Sequence, residues 1–182
     1  MILTDLEIRK LLKKRLISIE PSPPIDAYDS TAVNLTLDSL IRVFRTNVPG
    51  FIFDPGAPGY KAAELIRSAT DPVVIPQQGW ELPRGILVLG WTRERVDLDF
   101  KGRVAARVEG KSGLARLGLG VHVTAPTIHA GFPGTIQLEL VNHGPLPIKL
   151  RAGMSICQLI IETIKGRVSR NHKSQFHGQS AG

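Results

Sequence analysis

The chain has 182 residues, 42% of them apolar but only 5% aromatic, with 18 Gly and 13 Pro, which fits one turn-rich, β-dominated domain with an aliphatic core. Its formal net charge of +7, from 23 Lys and Arg against 16 Asp and Glu, points to an anionic partner, either a polynucleotide or a small polyphosphate, beside the plain alternative of solubility charge. No apolar run approaches the roughly 18 residues a membrane-spanning helix needs, and the lone Cys157 allows neither an internal disulfide nor a Cys-rich zinc site.

The opening LTDLEIRKLL predicts a helix. Thr4 stands as N-cap with Glu7 completing a capping box, and Leu3 and Ile8 occupy the positions of a hydrophobic staple. Acidic residues inside this only apolar stretch of the N-terminus speak against a signal peptide, so the expected compartment is the cytoplasm. The helix should end before the Pro-rich IEPSPPIDAYDS. In AVNLTLDSLIRVF, Val33, Leu35 and Leu37 alternate with Asn34, Thr36 and Asp38, which reads as one strand with a buried face. Residues 46–72 carry Gly and Pro without a sustained period and read as a long surface excursion, interrupted by a short helix at YKAAELIRSA. From Val73 onward, PVVIP, GILVLGWT, RVAARVEG, GVHVTAP, GTIQLELVNHG, PLPIKL and SICQLIIE follow one another between turn signals. That spacing predicts a β-sandwich or distorted barrel and excludes a doubly wound parallel sheet. The tail from residue 166 is polar and small, so the expected organisation is a β domain over 1–165 and a mobile tail over 166–182. Basic residues gather at 9–15, around 102–116 and in the tail. None of these groups is interleaved with aromatics, so the chain lacks the stacking surface of a single-strand binder.

Two stretches carry candidate chemistry. GKSGLARLG begins like a phosphate loop, yet Ala105 stands where that motif requires its first glycine, so the Walker reading fails. What remains is a Gly-rich turn flanked by Lys111 and Arg116, either a phosphate cradle or a solvated turn with a capping serine. In GTIQLELVN, Ile136, Leu138 and Leu140 face one way and Gln137, Glu139 and Val141 the other. Glu139 is then either a site carboxylate or a solvent-facing residue of a half-exposed strand. His129, in IHAGFPG, has only His122 near it in sequence, and no spacing of His, Cys and Asp suggests a metal site.

Three separated motifs, in order and spanning nearly the whole chain, resemble the dCTP deaminases, whose fold is shared with the trimeric dUTPases. LTDLEI and STAVNLTLD are similar to that family's opening helix and its P-S-S-V-D-L-R-L strand. RVEGKSGLARLGL is similar to its E-G-K-S-S-L-G-R-L-G-L motif, and TIHAGFPGTIQLEL to its I-D-P-G-F-x-G-x-I-T-L-E-L segment. The resemblance implies a dUTPase-like distorted β-barrel or jelly-roll sandwich, and hydrolytic deamination of dCTP to dUTP. It implies Glu139 as general acid and base, acting on a water also held by the Ser112 hydroxyl and the Ala125 carbonyl. Lys111, Ser112, Arg116, Thr124, His129 and Gln158 would bind the nucleotide, with Phe176 and Gln179 of the tail closing over it. Mg²⁺ would enter on the triphosphate, zinc would not be needed, and the sites would lie between subunits of a homotrimer. dTTP is the expected inhibitor, and neither nucleic acid nor membrane is an expected partner. Three departures stand out: Gly113 replaces the second serine of K-S-S-L, His129 replaces an aspartate usual in both families, and Phe176 replaces a tail tyrosine. KSGLA is closer to the dUTPase R-S-G-L-A, so a diphosphatase or bifunctional enzyme is the alternative. A non-catalytic nucleotide-binding relative is a third reading.

Overall fold

The computed structural model describes residues 1–46, 49, 52–99, 101, 103–166 and 168. Helix α1 spans Asp5–Lys13, with the Glu7 N–H donating to Thr4 Oγ1 at 3.5 Å as a capping threonine should. Only half of the expected capping box forms, because the Glu7 carboxylate meets Lys10 Nζ at 3.4 Å instead. Ile8 is fully buried and Leu3 packs against the same core, which fits the staple.

The strands follow as β1 (Ser18–Glu20), β2 (Tyr28–Asp29), β3 (Ala32–Thr36), β4 (Leu40–Phe44), β5 (Thr70–Val74), β6 (Trp80–Leu82), β7 (Leu87–Asp97) and β8 (Val104–Gly110), with helix α2 (Ala62–Ala69) between β4 and β5. After helix α3 (Ser112–Arg116) come β9 (Leu119–Gly120), β10 (Thr127–Ile128), β11 (Pro133–Asn142), β12 (Ile148–Leu150) and β13 (Ser155–Thr163). One sheet runs β5-β4-β7-β11-β9, with β1 on the far end of β7; the other runs β10-β8-β13-β3-β2, and β12 pairs with β6. Every described pairing is antiparallel, so the expected mainly β sandwich is what the chain forms.

Three expectations need correction. AVNLTLDSLIRVF is two strands in two different sheets rather than one. The chain turns at Asp38, whose carboxylate accepts from the Ser39 hydroxyl at 3.1 Å and the Leu40 N–H at 3.3 Å, a local bond set that breaks the ladder. GVHVTAP is not a strand either. Val121 is buried but Val123 is 57% exposed, and the segment crosses from β9 to β10 without a partner ladder among the described residues. The 46–72 excursion does contain its helix, but it ends sooner, because Thr70 already opens β5. Arg45 closes the excursion's two ends: its guanidinium meets Asp71 Oδ1 at 2.6 Å and donates to Ser68 O at 2.9 Å.

The core lies between the sheets, built from Val33 and Leu35 of β3, Val88 and Val96 of β7, Leu138 and Leu140 of β11, and Leu159 and Ile161 of β13. Gly90 sits mid-strand because an added Cβ would lie 3.0 Å from Leu140 Cδ1 and 3.1 Å from Leu37 Cδ1. Glu94 is an exception to the apolar rule at 6% exposure. Its two carboxylate oxygens accept from the Thr36 N–H and hydroxyl, each at 2.8 Å, which ties β7 to β3 across the sandwich. A buried carboxylate without such donors would be costly.

Cys157 is fully buried, and burial pushes its thiol from 9.0 to about 12, with Glu94 adding to the rise and Lys111 opposing it. The folded value exceeds the unfolded one. Its contribution to stability is therefore complete below about pH 9 and lost as pH climbs towards 12. Native protein at pH 8 should resist iodoacetamide until unfolded. Thermal midpoints of Cys157→Val should lack part of the alkaline decline seen in the parent; identical pH profiles would show that the thiol plays no part.

Candidate functional site

Strand β8 ends at Gly110, and the next residues turn into α3. Lys111 caps this short helix with an extended backbone (φ −85°, ψ 129°), and its carbonyl accepts from the Ala115 N–H at 2.9 Å. Ser112 and Arg116, the first and last residues of α3, are exposed. Gly113 is not sterically required, since an added Cβ would meet nothing within 4 Å. Gly118 is required twice over: its φ is +96°, and a Cβ there would lie 2.2 Å from Gly144 N. The glycine of ARLGL thus lets the turn after α3 pack backbone to backbone on the β11–β12 connection, where the His143 N–H donates to Gly118 O at 2.8 Å.

A row of polar side chains supports this turn from the outer face of the five-stranded sheet. Asn34, Gln158 and Glu109 are cross-strand partners on β3, β13 and β8. Gln158 Nε2 donates to Gly110 O at 3.1 Å, fixing the peptide that leads into Lys111. The Lys111 ammonium donates to Asn34 Oδ1, and Asn34 Nδ2 donates to Asp29 Oδ2 at 3.0 Å. Gln158 was a substrate-binding candidate; in this structure its amide braces the loop.

Glu139 lies on β11 opposite Leu89 of β7. It is half-buried between the buried Leu138 and Leu140, so it projects from the outer face of the other sheet, as the alternation predicts. One carboxylate oxygen accepts from the Val123 N–H at 3.3 Å, which brings the 121–126 crossing against it. Thr124 and Ala125 follow on that crossing, both exposed. The Val108 N–H, bonded to Pro126 O at 2.9 Å, pins the crossing's far end. His122 Nε2 lies 3.8 Å from Glu109 Oε2, and Glu109 also faces Arg107 at 3.3 Å. Arg107 in turn pairs with Glu162. His129 is exposed just beyond β10, and its carbonyl accepts from the Phe132 N–H at 3.2 Å.

The candidates therefore fall into two groups. Glu139 and the crossing that carries Thr124 and Ala125 meet on the outer face of the six-stranded sheet, while Lys111, Gln158 and the polar row occupy the outer face of the five-stranded one. Asn34, Asp29 and Val123 were not among the sequence candidates, although Asn34 stands in STAVNLTLD at the aspartate of V-D-L-R-L and so was open to recognition. Phe176 and Gln179 lie outside the described residues. Among the described residues no group of three or more His, Cys, Asp or Glu is placed to hold a metal ion, and no helix is long and apolar enough to cross a membrane.

Residues 2–164 match the family model described as dCTP deaminase-like. A dCTP deaminase of Shewanella sp. (strain W3-18-1) is 39% identical over 174 residues, covering 95% of this chain and 89% of that protein. A dCTP deaminase of Rhodospirillum rubrum is also 39% identical, over 171 residues, covering 92% of this chain and 85% of its own. Among solved structures, the 2′-deoxycytidine 5′-triphosphate deaminase from Agrobacterium tumefaciens superposes with a TM-score of 0.67 at 25% identity, covering 88% of this chain. This chain spans about half, 47%, of that longer one.

Proposed function

Because the chain belongs to the dCTP deaminase-like family, we propose that it hydrolyses the 4-amino group of a cytosine deoxynucleotide, converting dCTP to dUTP and ammonia. The observation that carries this reading is Glu139: a half-buried carboxylate oriented by the Val123 N–H at 3.3 Å, beside the exposed Thr124–Ala125 backbone. One oxygen is engaged by the loop, and the carboxylate keeps acceptor capacity for a water.

Glu139 takes a proton from that water as its oxygen adds to C4, and passes the proton to N3. It then moves the remaining hydroxyl proton to the amino group as the C4–N bond breaks and ammonia departs. The Ser112 hydroxyl and Ala125 carbonyl hold the same water. Lys111 and Arg116 clamp the phosphates through charge-assisted bonds, and Thr124 and His129 line the nucleoside. Gln158 acts from behind, by fixing Gly110 O. Mg²⁺ would enter as part of the substrate, bound to the triphosphate, where it would offset part of the phosphate charge.

Glu139 and the Lys111 turn project from outer faces of different sheets, which supports a site completed by a second subunit. A homotrimer, with dTTP competing at the same pockets, belongs to this reading. The exposed Leu117 and Val123, at 60% and 57%, flank the two groups and would be covered by such a neighbour. Gly113 leaves a diphosphatase activity as the second reading, since KSGLA is closer to the dUTPase motif. Both are tested by incubating the protein with dCTP and Mg²⁺ while following ammonia and pyrophosphate together. Ammonia without pyrophosphate is the expected result, pyrophosphate would mark a bifunctional enzyme, and no ammonia would refute the deaminase reading.

A further inference from the structure

We propose that Asn34 is a positioning residue that sets where the Lys111 ammonium stands, and with it the affinity for a triphosphate group. The inference rests on Lys111 being a phosphate contact, as in the reading above. A lysine side chain has four rotatable carbons and is otherwise a poorly located charge. Here its ammonium donates to Asn34 Oδ1, while the extended backbone of Lys111 is fixed by Ala115 N–H and, one residue earlier, by Gln158. Asn34 is itself oriented. Its amide donates to Asp29 Oδ2 at 3.0 Å, which turns Oδ1 rather than Nδ2 towards the lysine. The chain Asp29–Asn34–Lys111 thus holds one of the three ammonium donors and leaves two for phosphate oxygens.

The choice of a neutral amide has a consequence. A carboxylate at position 34 would pair with Lys111 and cancel much of its charge at the phosphates. Asn34 locates the ammonium without itself cancelling the charge, and the carboxylate behind it, Asp29, is more distant and exposed. Holding the ammonium in place before the ligand arrives reduces the ordering entropy lost on binding. The effect belongs to ground-state binding and not to the reacting base, so it should act on KM and leave kcat nearly alone.

The test is a double-mutant cycle read by calorimetric titration with inorganic tripolyphosphate, which needs no deamination. Asn34→Leu keeps the side-chain shape and removes the acceptor; Lys111→Met removes the ammonium. Asn34→Leu should raise the tripolyphosphate Kd about tenfold in the parent, and by less than about twofold in the Lys111→Met background, because Asn34 acts only through Lys111. With dCTP, the KM should rise similarly while kcat stays within about threefold. At the exposed Asp29, where misfolding is not a concern, Asp29→Ala should weaken binding and Asp29→Asn, which keeps an acceptor, should restore it. An equal loss in both Lys111 backgrounds, or no loss in either, would overturn the proposal. A parent that binds tripolyphosphate tightly yet releases no ammonia from dCTP would remove the deaminase reading and leave the role of Asn34 standing.

Discussion

Replacing Glu139 with glutamine should lower the rate of ammonia release from dCTP by about a thousandfold or more, while the Kd for dCTP stays within about threefold of the parent. Glutamine keeps the length of the side chain and an oxygen for the Val123 N–H, now 3.3 Å from the carboxylate, so the crossing that carries Thr124 and Ala125 should hold its place. What the amide cannot do is accept and return a proton. General acid and base catalysis contributes roughly 10²–10⁴, and in the proposed mechanism one group serves both transfers, so the loss should lie towards the upper end. The fold should be indifferent: Glu139 is half-buried on the outer face, and the core partners on either side, Leu138 and Leu140, are untouched. The decisive measurement is single-turnover ammonia release alongside calorimetric binding of dCTP. Binding lost together with turnover would make Glu139 a ligand-holding residue, and turnover retained would remove it from the chemistry.

The parts of this fold legible from sequence are those governed by short-range rules. The alternation in TIQLELV placed Glu139 on an outer face, and Thr4 capped its helix, because period and capping depend on neighbours in the chain. AVNLTLDSLIRVF failed as a single strand because the break is made by the Asp38 side chain bonding its own turn, and by β4 finding β5 and β7 in the other sheet. Nothing in a period-two pattern signals a change of sheet. Glu94 was invisible for a similar reason. In WTRERVD it alternates like a surface charge, and its partner Thr36 is 58 residues away in sequence. The candidate site was legible as motifs but not as an arrangement. Ser112 and Glu139 are read 27 positions apart on one chain, and only the sheet order reveals that the Lys111 turn and Glu139 stand on different outer faces. The Asp29–Asn34–Lys111 chain needed the fold itself, because 77 residues separate its lysine from its asparagine.

The same separation yields the second large effect. If the water-activating carboxylate and the phosphate clamp of one site come from different subunits, two inactive variants should repair each other. Arg116→Ala removes an exposed cation at the end of α3, and Glu139→Gln removes the proposed proton carrier; each homo-oligomer should be nearly inactive. Co-expressed with different tags and purified through both, the two should form mixed assemblies. A working site needs Glu139 from a chain carrying Arg116→Ala, and Arg116 from a neighbour carrying Glu139→Gln. With random, equal mixing each site has that combination with a probability of about one quarter, and purification through both tags removes the assemblies of one kind only, so in a trimer about one site in three, and about a third of parental activity, should return. After selection for mixed assemblies the fraction depends on the subunit number, about one half for a cyclic dimer and about one third for a trimer, so the mass of the assembly by light scattering is measured beside it. A site built within one chain gives the opposite result, because every chain then lacks one of its two groups and mixing restores nothing. Activity near zero in well-mixed assemblies would therefore place Glu139 and Arg116 of the same subunit in one pocket. The exposed Leu117 and Val123 would then need another explanation.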